Sequence, residues 1–158
     1  MFILFRTIVY ASLFIALVLI YLPARFLTWS GMVFPSAIGV QQITGIIFGA
    51  AGGIIALWCV LAFATIGKGT PAPFDPPRRL LVRGPYRYVR NPMYIGAAVA
   101  LASAALFYES LALLAYTGLF ILITHLFVLL YEEPNLRGSF GKEYEAYCRK
   151  VKRWWPNF

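Results

Sequence analysis

The sequence predicts an all-α integral membrane protein of about four transmembrane helices, closing in a C-terminal helical hairpin and a cytoplasmic amphipathic tail helix. Three observations carry this. Of 158 residues, 61% are hydrophobic and 13% charged, and the mean hydropathy is +0.74, too apolar for a domain whose surface must be wetted. The apolar residues form runs close to the roughly twenty residues that cross about 30 Å of hydrocarbon. The net charge of +8 sits almost entirely in two segments flanking those runs, a pattern that marks a cytoplasmic face rather than a nucleic-acid surface.

The first span runs from Ile3 to Leu22, interrupted only by Arg6, Thr7 and Ser12; Arg6 snorkels to the surface. Its apolar run is long for a signal peptide, and no clear small-x-small site precedes Pro23, so it is read as a retained span. The second extends from about Gln42 to Ile66, the third from Pro92 to Phe107 and the fourth from Ser110 to Tyr131. The third is short and has to lean on its neighbours. Gly45, Gly49 and Gly53, and likewise Gly96, Ala100 and Ala104, recur every four residues. Small residues at that spacing allow close helix approach, so these faces are expected inside a compact bundle, with oligomerisation the rival use.

Only Glu109 separates the third and fourth spans as a charge, which makes them a tight hairpin with Tyr94 and Glu132 side by side at one end. The loop before the hairpin carries Lys68, Arg78, Arg79, Arg83, Arg87 and Arg90 against Asp75 alone, while 23–41 carries only Arg25. Both termini are therefore expected in the cytoplasm. The tail from Phe140 to Trp155 reads as an interfacial helix with Phe140, Tyr144, Tyr147, Cys148 and Val151 near one face. Trp154 and Trp155 are expected to anchor it at headgroup depth, and Pro156 to end it.

Several chemistries are disfavoured at once. Cys59 and Cys148 lie in different segments without Cys or His neighbours at ligand spacing, so neither a disulfide nor a metal site is expected. No Ser-His-Asp order, HExxH motif or glycine-rich phosphate loop is present. His125, inside the fourth span and two turns before Glu132, is either an intramembrane functional group or a neutral histidine bonded to a neighbouring helix.

Two stretches concentrate polar groups beyond what an anchored helix end needs: Val82 to Gly96, with three arginines and three tyrosines, and Tyr131 to Tyr144. Adjacent Glu132 and Glu133 at a helix C-terminus repel each other and oppose its dipole. They are expected to face cations, either Arg83, Arg87 and Arg90 or a positively charged cofactor.

The runs Gly84-Pro85-Tyr86-Arg87 and Arg90-Asn91-Pro92-Met93-Tyr94-Ile95-Gly96, followed by Glu132-Glu133-x-x-Leu136-x-x-x-Phe140-Gly141-x-x-Tyr144-x-x-Tyr147 and Arg153-x-x-Pro156, resemble the isoprenylcysteine carboxyl methyltransferase and phospholipid methyltransferase superfamily over about residues 67–156. The resemblance implies an enzyme that binds S-adenosylmethionine at the cytoplasmic end of the hairpin and admits a lipophilic acceptor sideways from the bilayer. It divides the chain into a scaffold, 1–66, and a catalytic part, 67–158. By motif, it assigns cofactor binding to Arg83, Gly84, Tyr86, Asn91, Pro92, Tyr94, Glu132, Tyr144 and Tyr147, and catalysis to Arg90 and Glu133. Many relatives have histidine where Asn91 stands, and an amide keeps hydrogen bonding but loses titration.

Methyl transfer from a sulfonium mainly needs alignment and exclusion of water. An arginine suits the methionyl carboxylate, a glutamate the ribose, and tyrosine faces the sulfonium. For the acceptor, Arg90 would position a carboxylate, whereas Glu133 would deprotonate a headgroup amine. Alternatives of other classes are an NADPH-dependent membrane reductase of the sterol-reductase type and a non-catalytic membrane protein.

Overall fold

The first helix does not stop at Leu22. In the computed structural model, which describes residues 2–31, 34–67 and 78–156 and side chains from Phe5 onward, α1 (Phe2–Phe14) continues through a π-helical stretch (Ile15–Tyr21) into α2 (Leu22–Trp29). Pro23 is tolerated because it falls in the first turn of α2, where its missing N–H costs little, and the wider turns before it shift the bonding register, with Leu22 N–H donating to Leu17 O. The span from Phe5 to Trp29 is thus 25 residues long, and Arg25 rides on a helix rather than in a loop. Lys68 and Asp75 lie outside the described residues.

The second span is α3 (Val40–Ala62), extended by a π-helical end (Phe63–Gly67), and α4 (Pro92–Phe107) follows the basic loop. The hairpin partner α5 (Leu111–Phe127) passes through a π-helical turn (Val128–Glu132) into α6 (Glu133–Lys150). The protein is a multi-pass membrane protein, all-helical among the described residues. Among those residues three helical stretches are long and apolar enough to cross a bilayer. At 16 residues, α4 spans only about 24 Å.

That short helix leans on α3, through a glycine face that differs in part from expectation. Gly45, Gly49 and Gly52 meet α4, whereas Gly53 faces open space. A Cβ on Gly52 would lie 2.6 Å from Gly96 O and 2.9 Å from Ala100 N, and one on Gly96 would lie 2.8 Å from Gly52 O. At the far end Ser103 takes the place expected of Ala104, close to Gly45 and Gly49. Four-residue spacing drifts off a 3.6-residue turn, so the third contact falls one residue early.

The α4–α5 turn is held from outside itself. Glu109 adopts φ 50°, a left-handed conformation uncommon for a residue with a Cβ. Gln42 of α3 donates through Nε2 to Phe107 O at 3.2 Å and to Glu109 Oε1 at 3.0 Å, while Ser110 Oγ caps α5 by accepting from Leu113 N.

The tail helix starts earlier and ends earlier than expected. It grows directly out of the fourth span, bends at Gly141 (φ 48°, ψ −122°) and stops at Lys150, with Val151 already extended. The bend needs glycine, because that conformation crowds any Cβ. Its apolar face is the expected one: Tyr144, Tyr147 and Val151 are buried, with Phe140 and Cys148 packed around them. That face covers Leu80 of the basic loop.

Candidate functional site

Gly84 opens the site-forming loop with φ +60°, and a Cβ there would lie 3.4 Å from the Trp58 indole nitrogen. The turn that follows (Gly84–Arg87) buries Pro85 and Tyr86. The Tyr86 ring meets Phe63 edge-on at 5.7 Å, its hydroxyl bonds the Cys59 thiol, and its carbonyl accepts from the Tyr147 hydroxyl at 2.6 Å. Burial first, and then its neighbours, push the Tyr86 hydroxyl well above the ordinary tyrosine range. It therefore serves as a neutral hydrogen-bonding group.

Asn91 precedes α4, and Pro92 occupies the first turn, where its fixed φ suits a helix start. Asn91 Nδ2 donates to Arg153 O at 3.3 Å, and Arg90 N donates to Lys152 O at 3.0 Å. The segment after α6 is thereby strapped onto the loop before α4, joining the two motif arrays.

Glu133 lies at the centre and is almost fully buried. Arg153 grips it with a two-pronged contact, Nε to Oε1 at 2.7 Å and Nη2 to Oε2 at 2.9 Å. Arg90 Nη1 stands 3.0 Å from Oε1, and Arg137 Nη2 3.7 Å from Oε2. Burial alone would raise the Glu133 carboxyl, but the Arg153 hydrogen bonds and the charges of Arg90, Arg153 and Arg137 outweigh it and hold the group below its ordinary range. Arg90 also donates to Cys148 Sγ at 2.8 Å. Its Nε is the one buried side-chain nitrogen or oxygen among the described residues left without a partner.

Glu132, one residue earlier on the π-helical turn, faces elsewhere. Tyr94 on α4 donates its hydroxyl to Glu132 Oε2 at 3.1 Å. Successive helical residues point about 100° apart, so the two carboxylates that repel in sequence are separated, one toward arginines and one toward α4.

Tyr94 also borders a cleft of about 470 Å³ between the helices. Tyr10, Phe14 and Leu19 wall it from the first span, Ala56 and Val60 from α3, Met93 and Ala97 from α4, and Ile123, Thr124 and Phe127 from α5. Both chain segments, 1–66 and 67–158, contribute to it.

Of the motif residues, Tyr86, Arg90, Asn91, Pro92, Tyr94, Glu132, Glu133, Tyr144 and Tyr147 gather at this end of the hairpin. Arg83 and Arg87 do not meet the glutamates: both are exposed, and Arg87 lies over the Tyr88 ring at 5.2 Å. Of the three expected cations Arg90 alone meets Glu133, and Arg137 and Arg153 join it there. Arg153 stands in the Arg153-x-x-Pro156 run, which is the sequence signal for it; Arg137 follows Glu133 by four residues, the spacing of a helical ion pair. His125 pairs with the tail and not with Glu132, accepting at Nδ1 from Trp154 Nε1 at 3.1 Å. Trp154 is thus engaged inside the protein, while Trp155 is exposed. Both cysteines are free thiols.

The chain's residues 40–143, covering α3, the loop, the hairpin and the first half of α6, match the model of the phospholipid methyltransferase family. The chain belongs to that family. Neither the curated proteins nor the solved structures contain a match. Membership supports a membrane methyltransferase as the general function, and the two glutamates with their tyrosine and arginine partners fall within the matched residues or, for Arg153, just beyond them.

Proposed function

We propose that this member of the phospholipid methyltransferase family transfers a methyl group from S-adenosylmethionine to the amine of a lipid whose apolar part occupies the cleft, with the site and both termini on the cytoplasmic side. The different partners of the two carboxylates carry the choice of acceptor. Three arginines engage Glu133, whereas Glu132 meets a tyrosine hydroxyl beside the cleft. An acceptor carboxylate brought to Tyr94 would meet Glu132 as a like charge; an ammonium is attracted there and has a base within reach.

The cofactor's fit rests on Arg90. Its partnerless buried Nε suits an oxygen of the methionyl carboxylate. Asn91, Pro92, Tyr86, Tyr144 and Tyr147 are the further candidates to hold the cofactor, with Arg83 and Gly84 at the outer edge. When bound, the sulfonium supplies an electrophilic methyl group.

The chain's own residues then have simple tasks. Glu132 accepts the proton that the amine must lose, and Tyr94 orients that carboxylate. Glu133, saturated by arginines, suits anchoring better than proton transfer, so the base role passes from it to Glu132. The strap at 151–154 excludes water, which strengthens the electrostatics within. Family membership favours this reading over an NADPH-dependent reductase.

The test is incubation of the detergent-purified protein with methyl-labelled cofactor and either an ethanolamine phospholipid or a prenylated cysteine carboxylate. A stable N-methylated lipid is the expected product. A base-labile methyl ester formed alone would overturn the choice of amine.

A further inference from the structure

The cleft ends within the molecule, and its far end has a defined floor. On the first span its wall runs from Tyr10 to Leu19, nine residues apart, or roughly 13 Å along a helix. That depth is close to half of the approximately 30 Å of hydrocarbon in a bilayer, which is one leaflet. On α4 the wall runs from Met93 to Ala97. One turn beyond, Leu101 clusters with Tyr116 and Phe120, and Leu19 packs against that cluster. The Tyr116 hydroxyl bonds Val18 O at 2.9 Å, so the floor is pinned across helices.

The walls are chemically hydrocarbon near the floor. Thr124 turns its hydroxyl onto the carbonyls of Phe120 and Ile121 in its own helix, at 2.8 and 3.1 Å. The Tyr94 hydroxyl, at the other end, is directed to Glu132. Leu13 and Ile15 on the first span and Ile123 on α5 line the cleft and are exposed, which gives it a lipid-facing side.

Volume limits the occupant. At about 470 Å³ the cleft falls in the range of single-ligand pockets, roughly 300–1,000 Å³, which suits one chain.

Building on the amine-lipid reading above, we propose that the cleft is a chain-length gauge: it takes one hydrocarbon chain of the acceptor, and Ala97 and Leu19 at its floor set the longest chain that fits. A second chain, where the lipid has one, stays in the bilayer.

The experiment is calorimetric titration of the purified protein with lysophosphatidylethanolamines of increasing chain length, using wild type, Ala97→Leu and Leu19→Ala. Wild type should show an optimum length, Ala97→Leu an optimum shifted to shorter chains with about tenfold weaker binding of the wild-type optimum, and Leu19→Ala an optimum shifted to longer ones. Should Ala97→Leu fail to fold, Leu19→Ala decides alone. Affinity that is independent of length, no binding of any chain, or folded variants that keep the wild-type optimum would each overturn the gauge. Shifted optima without methylated product leave the gauge standing and overturn the amine-methylation reading instead.

Discussion

Arg153, just beyond α6, grips Glu133 with both prongs of its guanidinium, at 2.7 and 2.9 Å. The carboxylate is buried, so removing it would leave Arg90 and Arg153 facing each other without a counter-charge. Breaking one partner out of a buried pair costs about 3–5 kcal/mol. Glu133→Ala is therefore expected to lower the unfolding temperature of the detergent-purified protein sharply. Arg153→Lys should cost less, because the charge stays while the fork is lost. Equal melting of Glu133→Ala and wild type would show that the strap is held by something else.

The same network predicts an acid dependence. The Glu133 carboxyl is held below its ordinary range in the folded protein, so its contribution to stability is present above the unfolded value, about 4.3, and is lost as the pH falls through the folded one. Wild type should exceed Glu133→Gln in stability at neutral pH. The gap should close on acidification, and a gap constant with pH would contradict the ion-pair account.

Glu132→Gln keeps an acceptor for the Tyr94 hydroxyl but removes the base. Turnover should fall by about 10²–10⁴-fold, the usual contribution of a positioned proton acceptor, with little change in the affinity for S-adenosylhomocysteine. If affinity collapses while turnover of the saturated enzyme holds, Glu132 belongs to the cofactor site.

Two neighbouring glycines on α3 should behave oppositely. A Cβ at position 52 runs into the backbone of α4 at 2.6 Å, whereas one at position 53 meets nothing within 4 Å. Gly52→Ala should destabilise by about 1–3 kcal/mol through overpacking. Gly53→Ala should be neutral or stabilise by up to about 1 kcal/mol, because alanine loses less entropy in a helix. Thermal unfolding of the two variants side by side reads this directly.

At the opposite end of the molecule, Gln42 holds the hairpin turn in which Glu109 adopts its left-handed backbone. Gln42→Ala should cost about 1–3 kcal/mol by leaving Phe107 O and Glu109 without that donor. A double variant with Glu109→Gly should recover part of the loss, since glycine relieves the strain. No recovery would place the cost in α3 packing.

Spans and tail face were legible because they follow from composition and period, which act locally. Hydrocarbon length fixes how many apolar residues a span needs, and a 3.6-residue turn fixes that Tyr144, Tyr147 and Val151 share a face. The extension of the first helix through Pro23 was not legible, since a π-helical register shift leaves no mark in the residue pattern. Nor was the choice of Gly52 over Gly53, which depends on how α3 and α4 cross.

What the sequence by itself determined, then, is a membrane-embedded helical bundle and the set of polar side chains at one end of its hairpin. Which of those side chains meet was decided only by tertiary structure. Arg83, Arg87, Arg90, Arg137 and Arg153 carry the same charge, and apart from the four-residue spacing of Arg137 nothing local distinguishes them as partners for Glu133. The return of residues 151–154 onto Arg90 and Asn91 selects Arg153 and Arg90, and helical geometry adds Arg137. The rotation between successive helical residues leaves Glu132 to Tyr94 and the cleft. Long-range packing, which brings segments some sixty residues apart into hydrogen-bond contact, turned two adjacent, mutually repelling glutamates into groups with different partners.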